Sequence, residues 1–261
     1  MVDGALADLD DGPELGGAAH AGTLDPKVTG SLPTMLGEAT RLVERFRTAP
    51  KEYIAALELH ARTPADLDAT FAEFEGDLYQ KPPRRSAVAR RLRTRVVYEL
   101  GVPEGRGRRA LLRVRCEAGT YIRKLCHDLG LALGTGAHMG HLRRTATDPF
   151  DDTELVTLHD FADALAFARE GDPATLRAAV APAERLLSSL PGVTVPQNAA
   201  REVAMGAPVY APGVVAVTDA PNRGDTVAVY TPDHAAIAVG TLVGDTGADK
   251  GEVVSLDRVL V

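Results

Sequence analysis

A short turn framed by glycine and proline constrains the chain more than any other segment. It reads His20-Ala21-Gly22-Thr23-Leu24-Asp25-Pro26 and precedes an apolar stretch. Gly22 can adopt backbone torsions that are closed to other residues, and Pro26 fixes its own φ and disfavours a helical Asp25. Such a turn can present a side chain to solvent. Asp25 is therefore a candidate functional carboxylate, although an Asp before a Pro is also a common turn former.

The length and composition are typical of a globular chain. Its 261 residues are 45% apolar, which is enough for one large core or two smaller ones. No apolar stretch approaches the length of a membrane span, and residues 1–18 lack the features of a secretory signal. We therefore expect a cytoplasmic protein without a membrane partner. The two cysteines, Cys116 and Cys126, fit a reduced compartment and predict packing roles.

Charge is distributed unevenly along the chain. The formal net charge is −7, yet residues 81–144 hold 16 Lys and Arg against 4 Asp and Glu. Residues 151–261 hold 7 Lys and Arg against 16 Asp and Glu. A locally basic face attracts phosphate even on an acidic protein, and Arg offers bidentate phosphate contacts. The basic block predicts nucleic-acid binding, although a solvated surface can produce the same pattern.

Hydrophobic periodicity predicts both strands and helices in the first two thirds of the chain. Residues 53–60 and 110–117 alternate in the manner of strands, and basic side chains occupy one face of the second. Residues 37–48 follow helical spacing. Thr120 is expected to cap a further helix, whose apolar stripe consists of Ile122, Leu125, Cys126, Leu129 and Leu133.

The character of the sequence changes after Gly192. Helical patterns fill residues 155–190, whereas short apolar runs occupy 214–217, 226–230, 235–242 and 252–261. Gly, Pro, Asp and Asn turns separate these runs, which is typical of a small β-rich module of about 70 residues. The sequence therefore predicts a separate C-terminal domain.

Three separated motifs resemble the TruB and dyskerin family of RNA pseudouridine synthases. The first is HAGTLDPKVTGSLPTMLGEATRL, from His20 to Leu42, and the second is Lys51-Glu52-Tyr53. The third combines Gly119-Thr120-Tyr121-Ile122-Arg123 with GLALGTGAHMGHLRR, which ends at Arg144. Their order and spacing match the family, and this agreement is more specific than any one motif.

The resemblance implies a site that isomerises uridine to pseudouridine. Asp25 would be the essential aspartate, Tyr53 an aromatic platform for the flipped base, and Arg123 the cation that orients Asp25. Asp25 could attack ribose C1′ covalently, or it could stabilise positive charge there and move a proton from the sugar. The sequence leaves both paths open. No cofactor is expected, because the reaction consumes nothing, and no metal site is expected, because no thiolate or carboxylate pattern supports the histidines.

The resemblance also implies two sets of RNA contacts. Residues expected to contact the substrate are His20, Gly22, Thr23, Leu24, Lys51, Tyr121, Leu142, Arg143 and Arg144. Residues expected to contact the RNA backbone are Arg84, Arg85, Arg90 and Arg91. Within the first set, Leu142 would pack near the target base, whereas Arg143 and Arg144 would meet phosphate.

The family combines two domains, and the resemblance implies their limits here. The fold expected is α+β, with a mixed, mainly antiparallel catalytic sheet flanked by helices and a small β-barrel-like PUA domain that binds RNA. Residues 1–18 would be a disordered or non-family segment, 19–191 the catalytic domain and 192–261 the PUA domain. Residues 1–19 lack the Lys-Pro and Thr-Ser-His motifs of the family. Either the sequence starts too late in its gene, or the chain is a truncated variant whose catalytic sheet has an exposed edge.

The branch of the family is indicated by QKPPRRSAVARRLRTRVVYEL, from Gln80 to Leu100, which resembles the archaeal type. That type is the catalytic subunit of a box H/ACA guide-RNA particle, which contains small accessory proteins and acts on rRNA, with tRNA as a second class of target. One alternative is a stand-alone enzyme for the tRNA T-arm, and another is a non-catalytic RNA-binding scaffold. An unrelated carboxylate hydrolase would need a second acidic partner, and none stands out.

Overall fold

The computed structural model describes residues 17–62, 67–82 and 89–261, which fall into two compact units. The first unit comprises His20–Thr34 and Val43–Leu155. The second comprises Met35–Leu42 and Val156–Val261, together with the described residues before His20. Arg84 and Arg85 lie outside the described residues, as does nearly all of the expected N-terminal segment. The domain limits at residues 18 and 191 stay predictions.

A seven-stranded sheet forms the centre of the first unit. Preceding it in the chain is β1 (Ala18–His20), which pairs with β3 (Thr34–Leu36) in a small separate sheet. The strands of the large sheet are β2 (Thr29–Gly30), β4 (Lys51–Leu59), β5 (Gly76–Gln80), β6 (Arg93–Arg106), β7 (Arg109–Cys116), β8 (Ala137–Thr147) and β9 (Phe150–Asp151). Their order is β2-β8-β4-β7-β6-β5, with β9 on β8, and only the β2–β8 pairing is parallel. The expected mixed, mainly antiparallel sheet is confirmed.

One helix closes the core of this unit. The helices of the unit are α1 (Val43–Thr48), α2 (Asp68–Ala72) and α3 (Ile122–Ala132). On α3, Leu125 and Leu129 are fully buried against Leu57 of β4 and Leu112 of β7. Burying each such side chain contributes about 1.5–3 kcal/mol relative to leaving it in water. The apolar stripe predicted for this helix therefore faces the sheet.

The start of α3 differs from the sequence-based expectation. Tyr121, not Thr120, occupies the cap position, with extended backbone torsions and no side-chain capping bond. The Thr120 hydroxyl donates instead to the Glu117 carbonyl at 2.7 Å, within the turn that leads from β7 into the helix. Thr120 therefore stabilises the turn and does not cap the helix.

Helices lead into the C-terminal part of the second unit. They are α4 (Leu158–Arg169), α5 (Ala174–Ala179) and α6 (Gln197–Ala204). A capping box between Thr157 and Asp160 fixes the start of α4, as their side chains satisfy each other's backbone amides. In the described ranges no helix is long and apolar enough to cross a membrane.

A six-stranded sheet forms the C-terminal part of the second unit. Its strands are β10 (Gly192–Thr194), β11 (Val209–Tyr210), β12 (Ala216–Val217), β13 (Thr226–Tyr230), β14 (Ala236–Leu242) and β15 (Glu252–Val259). The order is β11-β15-β14-β13-β10-β12, and a separate core contains Val193, Val229 and Val254. The β-rich C-terminal module is confirmed, whereas the short β10, β11 and α6 were not predicted.

The two cysteines predict how stability depends on pH. Burial raises the pKa of the Cys116 and Cys126 thiols, each to about 12. A group whose pKa is raised by folding stabilises the fold below its unfolded pKa and loses that contribution as pH rises towards the folded value. We expect the free energy of unfolding to fall by about 1.4 kcal/mol per thiol for each pH unit above the unfolded pKa.

Urea unfolding at a series of pH values above that unfolded pKa measures this dependence. The control is Cys126→Ala, which shares every other titrating group, so its slope should be shallower by the contribution of one thiol. Equal slopes in the two proteins would contradict the prediction.

Candidate active site

The Asp25 turn lies in the first unit and projects its carboxylate outwards. The Asp25 carbonyl accepts a hydrogen bond from the Val28 amide at 3.0 Å, with Pro26 and Lys27 between them. Lys27 has a φ of 72°, so this is a type II turn with a non-glycine residue at its left-handed position. That conformation costs about 1–2 kcal/mol. Contacts with neighbouring residues must therefore stabilise the turn. The Asp25 side chain itself is 69% exposed.

Arg123 faces Asp25 from the first turn of α3. Its Nη2 lies 3.5 Å from Oδ2 of Asp25, and both side chains are more than half exposed. Water screens such a pair, so its value lies in orienting the carboxylate and not in stability. The structure thus brings together two residues that are 98 positions apart in the chain.

Gln80 fixes the helix that carries Arg123, and sequence reasoning missed it. Gln80 is the last residue of β5 and is buried, with only 2% of its surface exposed. The Tyr121 amide donates to Oε1 of Gln80 at 2.8 Å, and Nε2 of Gln80 donates to the Tyr121 carbonyl at 3.3 Å. A polar residue two positions after Leu78, on the inward face of a strand, is the signal that could have revealed it.

Tyr53 lies on β4 and belongs to the same neighbourhood. Burial raises the pKa of its hydroxyl, Cys116 adds to that rise, Arg144 opposes it, and the charge of Asp25 raises it further. The hydroxyl therefore stays protonated at neutral pH. The ring packs against the edge of the sheet core. A tyrosine ring that senses the Asp25 charge can serve as a platform on which an extruded base stacks.

Lys51 is buried, whereas the resemblance predicts that it contacts the substrate. It is 4% exposed, and its Nζ donates to the carbonyls of Phe46, Arg47 and Ala49 at 2.7–3.1 Å. Burial, followed by the nearby charge of Arg144, lowers the Lys51 pKa to about 8. All three donors are used at the end of α1, so Lys51 supports the structure and is not free to contact a substrate.

Arg144 also differs from the expectation that it meets phosphate. It is 2% exposed, and its Nε donates to the Ser31 carbonyl at 2.7 Å. Its Nη2 donates to the Gly22 carbonyl at 3.1 Å. A guanidinium enclosed in this way cannot reach RNA. Arg143, its neighbour in sequence, is exposed and pairs with Asp152 at 2.7 Å.

The remaining predicted contacts lie around the turn and along a basic cleft. His20 and Thr23 are exposed, Gly22 and Leu24 are half-buried, and Leu142 packs against the sheet core. A cleft of about 720 Å³ is lined by the basic residues Lys81, Arg90, Arg123, Lys124, His127 and His138, together with apolar groups. Arg91 is exposed. The cleft shares Arg123 with the site, and its lysine and arginine side chains carry positive charge.

Family models of known proteins match three successive parts of the chain. A family model for the N-terminal domain of TruB family pseudouridylate synthases matches residues 15–66. A model for the C-terminal domain of tRNA pseudouridylate synthase B matches residues 123–188, and a PUA domain model matches residues 191–260. The three models follow one another in the order that the sequence motifs predict.

Several relatives and solved structures are similar over most of their length. A probable tRNA pseudouridine synthase B of Haloarcula marismortui is 61% identical, covering 93% of this chain and 79% of that protein. One from Halobacterium salinarum is 60% identical, covering 94% and 85%. A crystal structure of a Cbf5-Nop10-Gar1 complex is 42% identical with a TM-score of 0.87, covering 100% of this chain and 79% of that one. An H/ACA RNP bound to a substrate RNA containing 2′-deoxyuridine gives 40% identity and a TM-score of 0.89, covering 100% and 80%.

Identity at this level across more than two thirds of a relative, with the same fold, establishes membership. The chain belongs to the TruB family and is an RNA pseudouridine synthase with a C-terminal PUA domain.

Proposed function

We propose that Asp25, Tyr53 and Arg123 carry out the isomerisation in this chain. The observation that carries the assignment is the 3.5 Å approach of Arg123 to Asp25. In the reaction the bond from ribose C1′ to N1 of uracil breaks, the base rotates, and C1′ bonds to C5. The C5 hydrogen leaves as a proton and N1 gains one, so the composition of the nucleotide is unchanged.

Asp25 is the group that meets C1′. An exposed carboxylate on a tight turn can attack C1′, or it can stabilise positive charge there while it accepts a proton from the sugar. Arg123 directs the carboxylate oxygens, because an opposite charge at this distance favours one orientation. Both paths use the same geometry, so the proposal covers either.

Tyr53 holds the extruded base. Taking a base out of an RNA stack costs a few kcal/mol, and stacking on an aromatic ring returns about 1–3 kcal/mol. The raised pKa of Tyr53 keeps its hydroxyl neutral, so the ring offers an uncharged face and a hydroxyl donor to the base. We also propose that Leu142 packs beside this base, from β8.

RNA is held on both sides of this site. The basic cleft next to Arg123 offers charge to phosphates, and we propose Arg90, Arg91 and Arg143 as backbone contacts. The exposed His20 and Thr23 border the Asp25 turn and would meet nucleotides that flank the target. Residues 19–191 would thus perform catalysis, with 192–261 as a second RNA-binding element.

The branch we favour is the guide-RNA type. Its support is the archaeal form of residues 80–100 and the likeness to Cbf5, which is solved with Nop10 and Gar1 and within an H/ACA RNP bound to substrate RNA. The alternative is a stand-alone tRNA enzyme, because archaeal relatives bear the name tRNA pseudouridine synthase B. Either substrate fits a cytoplasmic location.

The test is a uridine isomerisation assay with two RNA substrates. One arm combines the full chain with a box H/ACA guide RNA, its target RNA and the accessory proteins Nop10 and Gar1. The other arm offers a tRNA T-arm transcript to the chain alone. We expect guide-dependent product in the first arm. Efficient product in the second arm alone would identify the stand-alone enzyme, and RNA binding without product in either would identify a scaffold.

A further inference from the structure

Arg144 ties together the two ends of the loop that carries Asp25. Its guanidinium donates to the carbonyl of Gly22, three residues before Asp25, and to the carbonyl of Ser31, six residues after it. Its own carbonyl accepts from the Ser31 amide at 2.8 Å. One residue of β8 therefore makes three hydrogen bonds to a loop that has little secondary structure of its own.

The close approach of the loop to β8 is built into the sequence. Gly30 pairs with Arg144 in the β2–β8 register, and a Cβ at Gly30 would lie 2.0 Å from the Arg144 carbonyl oxygen. Gly30 also has a φ of 104°, which a side chain would oppose. Only glycine at this position lets the Asp25 loop lie directly on the strand.

Arg144 is also paired with Tyr53, the other proposed site residue. Tyr53 is the register partner of Arg144 between β4 and β8, and the nearby guanidinium opposes the rise in the pKa of the Tyr53 hydroxyl. Arg144 thus binds the Asp25 loop and is paired across the sheet with the proposed base platform. A planar fork with five N–H donors can serve two acceptors in fixed directions, which a lysine ammonium does less well.

Stability alone is a poor explanation for a buried arginine here. Arg144 lies beside a second buried cation, Lys51, and the two charges repel each other. Burying a charge is costly even when hydrogen bonds satisfy it, and an apolar side chain of similar volume often stabilises a core as well. Arg144 instead fixes the Gly22 and Ser31 carbonyls relative to β8, the strand that pairs with Tyr53.

We propose that Arg144 is a positioning residue for the isomerisation, because it sets the place of the Asp25 turn relative to Tyr53. The inference rests on the proposed roles of Asp25 and Tyr53. Arg144 touches neither the RNA nor the reacting atoms. Its effect is expected on the chemical step, since a displacement of about 1 Å at a catalytic group can cost about 100-fold in rate.

The test compares Arg144→Met and Arg144→Lys with the wild type, using the RNA assembly that supports wild-type activity. We expect kcat to fall about 10- to 100-fold in Arg144→Met, with KM changed by less than about threefold. Arg144→Lys should recover part of the loss. The control is Arg115→Met, which removes an ion-paired arginine of β7 outside the site and should leave kcat unchanged.

A double-mutant cycle with Tyr53→Phe separates positioning from a general loss of structure. If Arg144 acts partly through the Tyr53 hydroxyl, Arg144→Met should cost less in the Tyr53→Phe background than in the wild type. Circular dichroism and thermal unfolding give the folded fraction at the assay temperature. Should Arg144→Met be unfolded there, Arg144→Lys carries the decision.

Two outcomes overturn the inference. One is a kcat equal to that of the wild type in every Arg144 variant that is folded at the assay temperature. The other is a loss of activity that matches the unfolded fraction and is fully additive with Tyr53→Phe. Failure of the proposed function is distinguishable, because an active Asp25→Asn protein would refute the catalytic assignment whatever the Arg144 variants do.

Discussion

Asp25→Asn is expected to abolish pseudouridine formation while leaving RNA affinity within about twofold of the wild type. The substitution keeps the size of the side chain and removes the charge, so the amide can neither attack C1′ nor accept a proton from the sugar. Loss of a positioned catalytic carboxylate costs at least about 100- to 10,000-fold in rate. Because the Asp25 side chain is 69% exposed, its loss should cost little stability.

The measurement follows directly from the reaction. C5 of uracil loses its hydrogen when the new carbon–carbon bond forms, so tritium placed at C5 is released into water with each turnover. Fluorescence anisotropy with the same RNA gives the affinity. Asp77→Asn, an exposed aspartate of β5, is the matched control and should keep full activity. Wild-type tritium release from Asp25→Asn would refute the catalytic role of Asp25.

Gly130→Ala should destabilise the first unit by about 2–4 kcal/mol, although alanine favours helices by about 1 kcal/mol over glycine. Gly130 lies within α3 where the helix touches the start of β8. A Cβ there would lie 2.1 Å from the Ala137 amide nitrogen and 2.5 Å from the Ala137 Cβ. The Gly136 amide also donates to the Gly130 carbonyl at 2.8 Å, so helix and strand cannot separate without losing that bond.

Because α3 also carries Arg123, activity should fall along with stability. Urea unfolding followed by circular dichroism measures the stability change. Gly101→Ala provides the control, since a Cβ at Gly101 meets nothing within 4 Å and its effect should stay within about 0.5 kcal/mol. A Gly130→Ala protein as stable as the wild type would show that the helix can shift on the sheet at little cost.

Elements with a clear hydrophobic period were predictable from the sequence. In β7, Leu112, Val114 and Cys116 are fully buried, as the alternation along residues 110–117 predicts. The stripe on α3 faces the core for the same reason. By contrast, β5 and β6 were not predicted as strands, because β5 has one weakly apolar face at the sheet edge and β6 is interrupted by Pro103 and several charges.

Part of the site was predictable from the sequence, and a physical difference separates that part from the rest. A charged residue on a turn, such as Asp25, is expected from its sequence to be exposed, and it is exposed in the fold. Lys51 and Arg144 resemble surface cations in sequence, yet their neighbours enclose them. Only the folded backbone supplies the carbonyl oxygens of Phe46, Gly22 and Ser31 that accept their hydrogen bonds. Gln80 was missed for the same reason, since its partner is a backbone group 41 residues away.

The buried thiols have a practical consequence for following RNA binding. Cys116 and Cys126 are the only cysteines in the chain, and both are buried with raised pKa values. Thiolates react with maleimides and thiols do not, so both native cysteines should resist labelling. In an Arg108→Cys protein, the new cysteine at this exposed position beside Gly107 would then be the only one that reacts with a fluorophore. The Arg108→Cys protein thus accepts a site-specific dye without prior removal of the two native cysteines.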